Sequence, residues 1–353
     1  MVKWRFECDY TEGAHPEVMR RLLETNGEQT TGYGEDAYCT QAQEKIRVAC
    51  QCPEAQVHFL MGGTQANVTV IRAALRPYQG VLSAETGHIH IHETGAVEAS
   101  GHKVLALPSQ NGKITAGQVR EACQAHWSDS SREHMVQPGM VYLSHPTEIG
   151  TLYTRRELEE IREVCREWNL YLFLDGARLG YALAAEEHDL ELPDLARLCD
   201  VFYIGGTKVG ALFGEAVVVV HPGLQENFRY VEKQQGAMLA KGRLLGIQFD
   251  TLFTGDLYRR MGRHGIQMAH RLRNGMKQMG IPFFCDSPTN QQFVILTQTQ
   301  ADQLAEKYSF SPWKKLKGDQ LAVRFCTSWA TKEEAVEELL TDLQAVRQAG
   351  QEA

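Results

Sequence analysis

The sequence predicts an α/β protein, with a large domain built on a mainly parallel sheet flanked by helices and a smaller C-terminal α+β domain after it. Three observations predict it. Apolar runs of strand length alternate with helical patterns through the middle of the chain, and several of these runs end in glycine turns bearing a polar or charged residue. After about residue 245 the alternation gives way to a long helical stretch and two further strands. Strands that alternate with helices are joined by crossovers, and crossovers produce a parallel sheet with helices on both faces.

In chain order, residues 57–61 form a short apolar run closed by Gly62-Gly63-Thr64, and residues 65–75 read as a helix entered from that turn. Residues 104–107 and 140–143 are the next candidate strands. Residues 154–168 set Leu158, Ile161 and Cys165 into a Glu- and Arg-rich segment, the pattern of an amphipathic helix. The strand 170–174 follows directly and ends in Asp175-Gly176-Ala177-Arg178. A helical stretch leads to the strand 201–204, ending in Gly205-Gly206-Thr207-Lys208, and 216–220 is one more buried strand. A helical region over 248–279, strands at 293–296 and 321–325, and a last helix from 332 to about 347 make up the second unit. The expected division is therefore 1–247 for the large domain with its N-terminal arm and 248–353 for the small one.

With 353 residues, 43% of them apolar and 23% charged, the chain buries a real core and is neither disordered nor a small disulfide-stapled fold. Lys plus Arg number 36 against 44 Asp plus Glu, so no overall positive field exists to hold nucleic acid or an anionic membrane. Any anion must be held locally. Nine scattered cysteines, an odd count without a C-x-x-C pair or zinc-ligand spacing, read as reduced thiols in a cytoplasmic protein. The charged N-terminus lacks the apolar stretch of a signal peptide, and no apolar run approaches membrane-spanning length, so a soluble protein is expected.

Ligands of open α/β sheets bind outside the carboxyl ends of the strands, and three turns there carry chemistry. Gly62-Gly63-Thr64-Gln65-Ala66-Asn67 opens a helix with two glycines and a hydroxyl, where free N–H groups and the helix dipole favour a phosphate; the same turn also serves as a plain helix start. It has neither the dinucleotide fingerprint nor the P-loop pattern. Asp175 ends a very apolar strand, where a carboxylate is costly unless paired; capping the next segment or pairing with Arg178 are the simpler readings. Lys208 follows another apolar strand, and a solvated loop lysine is its simpler reading. Lys208 follows Asp175 by 33 residues, the length of one βαβ unit, so both belong to one sheet edge. A phosphate cradle, a carboxylate and a lysine together suit pyridoxal phosphate, with the lysine forming the Schiff base and the carboxylate pairing with the pyridinium nitrogen. In His88-Ile89-His90-Ile91-His92 the alternation would put three imidazoles on one face of a strand, able to hold zinc; a helical run, or one histidine stacked on a cofactor ring, needs no metal. Arg324, in a strand of the small domain, is either a surface charge or a bidentate carboxylate clamp.

These residues resemble the threonine aldolase and β-eliminating lyase group of fold-type-I pyridoxal-phosphate enzymes, the low-specificity L-threonine aldolases in particular. The resemblance runs from about Phe6 to Thr331. It is carried by Asp9-Tyr10-Thr11-Glu12-Gly13-Ala14-His15-Pro16, Tyr33-Gly34-Glu35-Asp36, Gly62-Gly63-Thr64-Gln65-Ala66-Asn67, Gly87-His88-Ile89 with Glu93-Thr94-Gly95-Ala96, Leu174-Asp175-Gly176-Ala177-Arg178 and Gly205-Gly206-Thr207-Lys208. It implies that Lys208 is the Schiff-base lysine, that Asp175 is the partner of the pyridine nitrogen, and that His88 stacks on the ring. Gly63, Thr64, Gln65 and Thr207 would hold the cofactor, with Arg178 beside them. Arg178 and Arg324, with Asp9, would bind the substrate carboxylate. Members are homo-oligomers, usually tetramers built from dimers, and Lys241 lies in the segment that would reach into a neighbour's site. The chain departs from the pattern at Cys8, where many members carry a serine that contacts the substrate carboxylate. It departs again at Thr147, where many carry a histidine near the reacting hydroxyl, with His145 two residues earlier.

The resemblance implies a lyase that cleaves β-hydroxy-α-amino acids such as L-threonine or L-allo-threonine into glycine and an aldehyde, with no metal and no macromolecular ligand. Alternatives are β-elimination or racemisation on the same scaffold, a metal-dependent hydrolase using His88, His90 and His92, and a non-catalytic binding protein, against which Lys208 and Asp175 argue.

Overall fold

The computed structural model describes residues 3–352. The chain opens with a two-residue strand, β1 (Trp4–Arg5), and helices Pro16–Glu24 and Ala37–Ala49, none of which the sequence pattern disclosed. Seven strands follow: β2 (Gln56–Leu60), β3 (Gln79–Ala84), β4 (Lys103–Leu107), β5 (Gln137–Ser144), β6 (Tyr171–Asp175), β7 (Val201–Gly205) and β8 (Glu215–Val219). They form one sheet in the order β2-β8-β7-β6-β5-β3-β4. β4, β3, β5, β6 and β7 pair in parallel, and only β8 runs against its neighbours β2 and β7. The sheet is mainly parallel, as expected, and β3 is the one strand of this sheet missing from the sequence reading.

The strands are apolar without alternation because both faces are covered. Successive residues point to opposite cores: Val141, Leu143, Leu172, Leu174, Phe202 and Val218 pack on one side, and Tyr142, Phe173, Tyr203 and Val217 on the other. The first side receives helices Ala37–Ala49 and Arg155–Glu167 and the second receives helix Gly63–Ala74.

The small domain holds β9 (Phe283–Cys285), β10 (Gln291–Thr297), β11 (Tyr308–Ser309), β12 (Ser311–Lys315) and β13 (Gln320–Cys326), with β12-β13-β10-β9 forming an antiparallel sheet. Its core joins Met268, Leu272, Val294, Phe325 and Leu339 with Phe6 from the N-terminal arm. β1 pairs in parallel with β11, and the Cys326 N–H donates to the Phe6 carbonyl at 2.8 Å, so the arm is built into the small domain. The expected boundary at 247/248 falls inside helix Arg243–Leu252, whose Leu245, Phe249 and Leu252 belong to the large core. The change of core lies within the next helix, Leu257–Gln278: Ile266 packs with the large domain and Met268 with the small one. The single long helix expected over 248–279 is thus two, parted where Gly255 and Asp256 take φ of +59° and +60°. No helix among the described residues is long and apolar enough to cross a membrane, and all nine cysteines are free thiols.

Two glycines let the turns after β6 and β7 touch. The Gly205 N–H donates to the Gly176 carbonyl at 3.0 Å. A Cβ on Gly176 would fall 2.0 Å from the Tyr203 carbonyl oxygen, and one on Gly205 would fall 2.3 Å from that of Ala177. Neither backbone atom can yield without moving a strand end. Gly176→Ala is therefore expected to cost at least about 1–3 kcal/mol, the usual range for overpacking. A lowered urea midpoint is the expected reading, and a wild-type midpoint would contradict the contact.

Candidate active site

The carboxyl ends of β5, β6 and β7, the start of β8 and the N-terminus of helix Gly63–Ala74 converge on a cavity of about 300 Å³. Its wall includes Gly63, Thr64, His88, Glu148, Asp175, Arg178, Thr207, Lys208 and Glu215. The topology therefore brings together the phosphate cradle, Asp175 and Lys208, which lie far apart in the chain.

Asp175 is 5% exposed and takes four hydrogen bonds. Oδ2 accepts from the Tyr142 hydroxyl at 2.5 Å and from Asn67 Nδ2 at 3.1 Å, while Oδ1 accepts from the Tyr203 hydroxyl and from the Ala177 N–H at 3.0 Å. Burial pushes this carboxyl up, but the charge of His88 and the hydrogen bonds from Tyr142, Tyr203 and Ala177 outweigh it, so Asp175 titrates below the ordinary carboxylate range. It does not pair with Arg178, the simpler reading of the sequence: no arginine or lysine lies within ion-pair distance among the described residues.

His88 begins a one-turn helix, His88–Ile91, and not a strand. Residues two apart on a helix face nearly opposite ways, so the three-histidine face is lost: His90 is exposed, while His88 and His92 lie with ring centroids 5.6 Å apart. No group of three His, Cys, Asp or Glu able to hold a metal occurs among the described residues. His88 Nδ1 instead meets Glu93 Oε1 at 2.7 Å. Asn67 Nδ2 donates to that same oxygen at 2.7 Å, so one amide bridges the Glu93 and Asp175 carboxylates. Burial lowers the His88 pKa, but Glu93 and Asp175 outweigh it and His88 titrates above its ordinary value.

Lys208 Nζ makes no hydrogen bond among the described residues, and burial together with the Arg178 charge lowers its pKa. Glu215 lies beside it and accepts from the Gly206 N–H at 3.0 Å. Burial pushes its carboxyl up to about 8, against the opposing pull of Lys208, Thr207 and Gly206. The cradle is a helix start without a side-chain cap at Gly62, which leaves its first N–H groups for an anion; Thr207 borders the same space.

The remaining residues singled out in the sequence divide. Arg178 borders the cavity and is gripped by Asp9 through two contacts of 2.7 and 3.0 Å. Asp9, fully buried and also bonded by Asn290 at 2.9 Å, stands behind Arg178 and off the cavity wall. Arg324 hydrogen-bonds Gln291, the Glu7 carbonyl and Ser311 and has no carboxylate partner among the described residues. It is set back from the wall, yet its charge is felt at His92, which is lowered first by burial and then by His88 and Arg324. Gln65 braces its own turn through the Met61 N–H and the Gln235 carbonyl and does not line the cavity. Lys241 is exposed and away from it. His145 is bonded to His188 at 2.9 Å, Thr147 is bonded to Thr151 at 2.7 Å, and neither borders the cavity. Sequence reasoning missed Tyr142, Tyr203, Glu148 and Glu215. For the tyrosines the available signal was a hydroxyl inside an apolar strand, which needs a partner when buried.

Residues 7–299 match the β-eliminating lyase family model. The chain is 30% identical to the low specificity L-threonine aldolase of Pseudomonas aeruginosa over 350 residues, covering 97% of each. It superimposes on Leishmania major threonine aldolase with a TM-score of 0.93 and 42% identity, covering 98% of this chain and 99% of that one. Thermus thermophilus aspartate aminotransferase, at 16% identity with a TM-score of 0.70 and coverage of 98% and 91%, shares the fold alone.

Glu215 makes a testable electrostatic consequence. Its carboxyl is raised from an ordinary 4.5 to about 8 in the folded chain, so the folded state holds a proton that the unfolded state releases. Stability is full below about 4.5 and falls as pH rises through about 8. Glu215→Gln in the cofactor-free protein removes this loss, and its stability relative to wild type should climb by about 1.4 kcal/mol per pH unit within that window. Urea denaturation at a series of pH values reads it, and parallel curves would contradict the assignment.

Proposed function

The chain belongs to the β-eliminating lyase family, and from that membership we propose that it is a pyridoxal-phosphate-dependent threonine aldolase, cleaving β-hydroxy-α-amino acids of the L-threonine and L-allo-threonine kind to glycine and an aldehyde. The observation that carries this reading is a buried, ionised Asp175 with no arginine or lysine partner, across a cavity from a lysine that makes no hydrogen bond, among the described residues. Both groups fit the cofactor: one for its ring nitrogen, one for its aldehyde carbon, with an uncapped helix start for its phosphate.

When bound, pyridoxal phosphate supplies the electron sink that carbon–carbon cleavage next to an amino group requires. The chain's own residues do the rest. Asp175, kept ionised, would hold a proton at the ring nitrogen. Lys208 would carry the cofactor covalently; burial and Arg178 keep its amine available uncharged at lower pH than an exposed lysine. Gly63, Thr64 and Thr207 would hold the phosphate, and His88, oriented by Glu93, would stack on the ring. Asp9 and Asn290 fix Arg178 so that it meets the substrate carboxylate without rearrangement, and Arg324 supplies a second positive charge there. Fixing that carboxylate decides which bond at the α-carbon breaks.

The exposed position of Lys241 agrees with a side chain that serves a neighbouring copy, and we read the protein as a homo-oligomer, a tetramer built from two dimers. The free thiols support a cytoplasmic location.

Incubating the holoenzyme with L-threonine and L-allo-threonine should yield glycine and acetaldehyde by mass spectrometry; a 2-oxo acid with ammonia would move the chemistry to β-elimination. Lys208→Ala should fail to retain the cofactor's absorbance through gel filtration, and full retention would show that another residue carries it. Arg324→Ala should raise KM for L-threonine roughly 10- to 100-fold, the size of a lost charge-assisted hydrogen bond, and an unchanged KM would remove Arg324 from the carboxylate site.

A further inference from the structure

We propose that Glu148 is the acid–base residue that takes the proton from the substrate's β-hydroxyl, an inference that rests on the aldolase reading. The turn after β5 carries Glu148 onto the cavity wall that also holds His88 and Lys208. Its two oxygens differ. Oε1 accepts from the His88 N–H at 2.8 Å and from Ser144 Oγ at 2.5 Å, which fixes the carboxyl in place. Oε2 is buried and has no hydrogen-bond partner among the described residues. A buried carboxyl oxygen left unmet is costly, and a proton or a donating ligand is what satisfies it.

The other candidates are committed elsewhere. Asp175 is held by four donors and reserved for the ring nitrogen. Glu93 is engaged by His88 and Asn67 through Oε1, and although its Oε2 is also buried and unmet it does not border the cavity, while Glu215 sits at the Thr207 end. His145 and Thr147 are turned into other contacts. The charged and titratable groups around Glu148 are His88 from the short helix, Asp175 from β6, Tyr142 from β5 and Tyr153. Burial pushes the Glu148 carboxyl above the ordinary carboxylate range, toward the pH at which an acid–base group works best.

The step balances as follows. The hydroxyl proton passes to Oε2, the O–H electron pair becomes the second carbon–oxygen bond of the aldehyde, and the Cα–Cβ pair stays with Cα. A proton taken up at Cα completes glycine, and Glu148 gives its proton to solvent as the aldehyde leaves.

The test compares wild type, Glu148→Gln and Glu148→Asp as holoenzymes. Three quantities are read: bound-cofactor absorbance, aldol cleavage of L-threonine across pH, and exchange of the α-proton of glycine with deuterated solvent, which involves no hydroxyl. Glu148→Gln is expected to keep the cofactor and the exchange and to lose cleavage by about 10²- to 10⁴-fold, the usual contribution of a general base. The limb of kcat that rises as the carboxyl ionises should vanish with it, and Glu148→Asp should restore part of both. Cleavage within threefold of wild type with an unchanged pH profile overturns the proposal, as does loss of cofactor or exchange in proportion to cleavage, the mark of a structural role. A wild-type enzyme that releases no aldehyde overturns the aldolase reading itself, an outcome visible before any variant is made.

Discussion

Removing an ionised carboxylate from water costs several kcal/mol even after the protein relaxes around it, and the neighbourhood of Asp175 is organised by that cost. No arginine or lysine among the described residues neutralises the charge. Tyr142 from β5, Tyr203 from β7, Asn67 from helix Gly63–Ala74 and the Ala177 N–H stabilise it instead. Each donor comes from a different element, so the carboxylate ties two neighbouring strands and a helix to the end of β6. Asn67 extends the tie to Glu93 and from there to His88. The cradle, the ring-covering histidine and the central carboxylate are thereby one hydrogen-bonded unit, and displacing any member leaves a buried polar group unmet.

The charges around the cavity are distributed so that few are free. Arg178 is matched by Asp9, Lys208 is pushed toward its neutral form, and Glu215 and Glu148 are pushed toward theirs. What remains is the negative charge of Asp175, with His88 close by, and the positive charge of Arg324, which has no carboxylate partner among the described residues. That pattern suits a zwitterionic substrate offered as an amine toward Lys208 and a carboxylate toward the arginines. It also accounts for the burial of Asp9: a fully desolvated partner holds Arg178 in one orientation, where a solvent-exposed one would not.

Asp175 and Lys208 could be read from the chain because one ends and the other closely follows a strand buried on both faces, and a charged residue there is conspicuous. The cradle was legible for a similar reason, a glycine turn at a helix start. Tyr142 and Tyr203 were not, because an aromatic in a Val- and Leu-rich strand looks like core until its hydroxyl is seen to face a carboxylate. Glu148 and Glu215 sit in turns and at a strand start, where acidic residues are ordinary. His88-Ile89-His90-Ile91-His92 imitates strand alternation, but the entry at Gly87 and the following turn favour one helical turn. The domain boundary escaped because no composition change marks it: a continuous helix passes from one core to the other. The arm escaped because Trp4 pairs with Tyr308, a contact between opposite ends of the chain that no local pattern reports.

The account stands or falls on the state of Asp175 against the cofactor ring. Pyridoxal phosphate labelled with ¹⁵N at the pyridine nitrogen, bound to the wild-type enzyme and followed by NMR across neutral pH, reports whether that nitrogen carries a proton. A protonated nitrogen throughout, lost in Asp175→Asn, is the result the structure predicts. An unprotonated nitrogen in wild type would mean that Asp175 is not the ring's counter-charge.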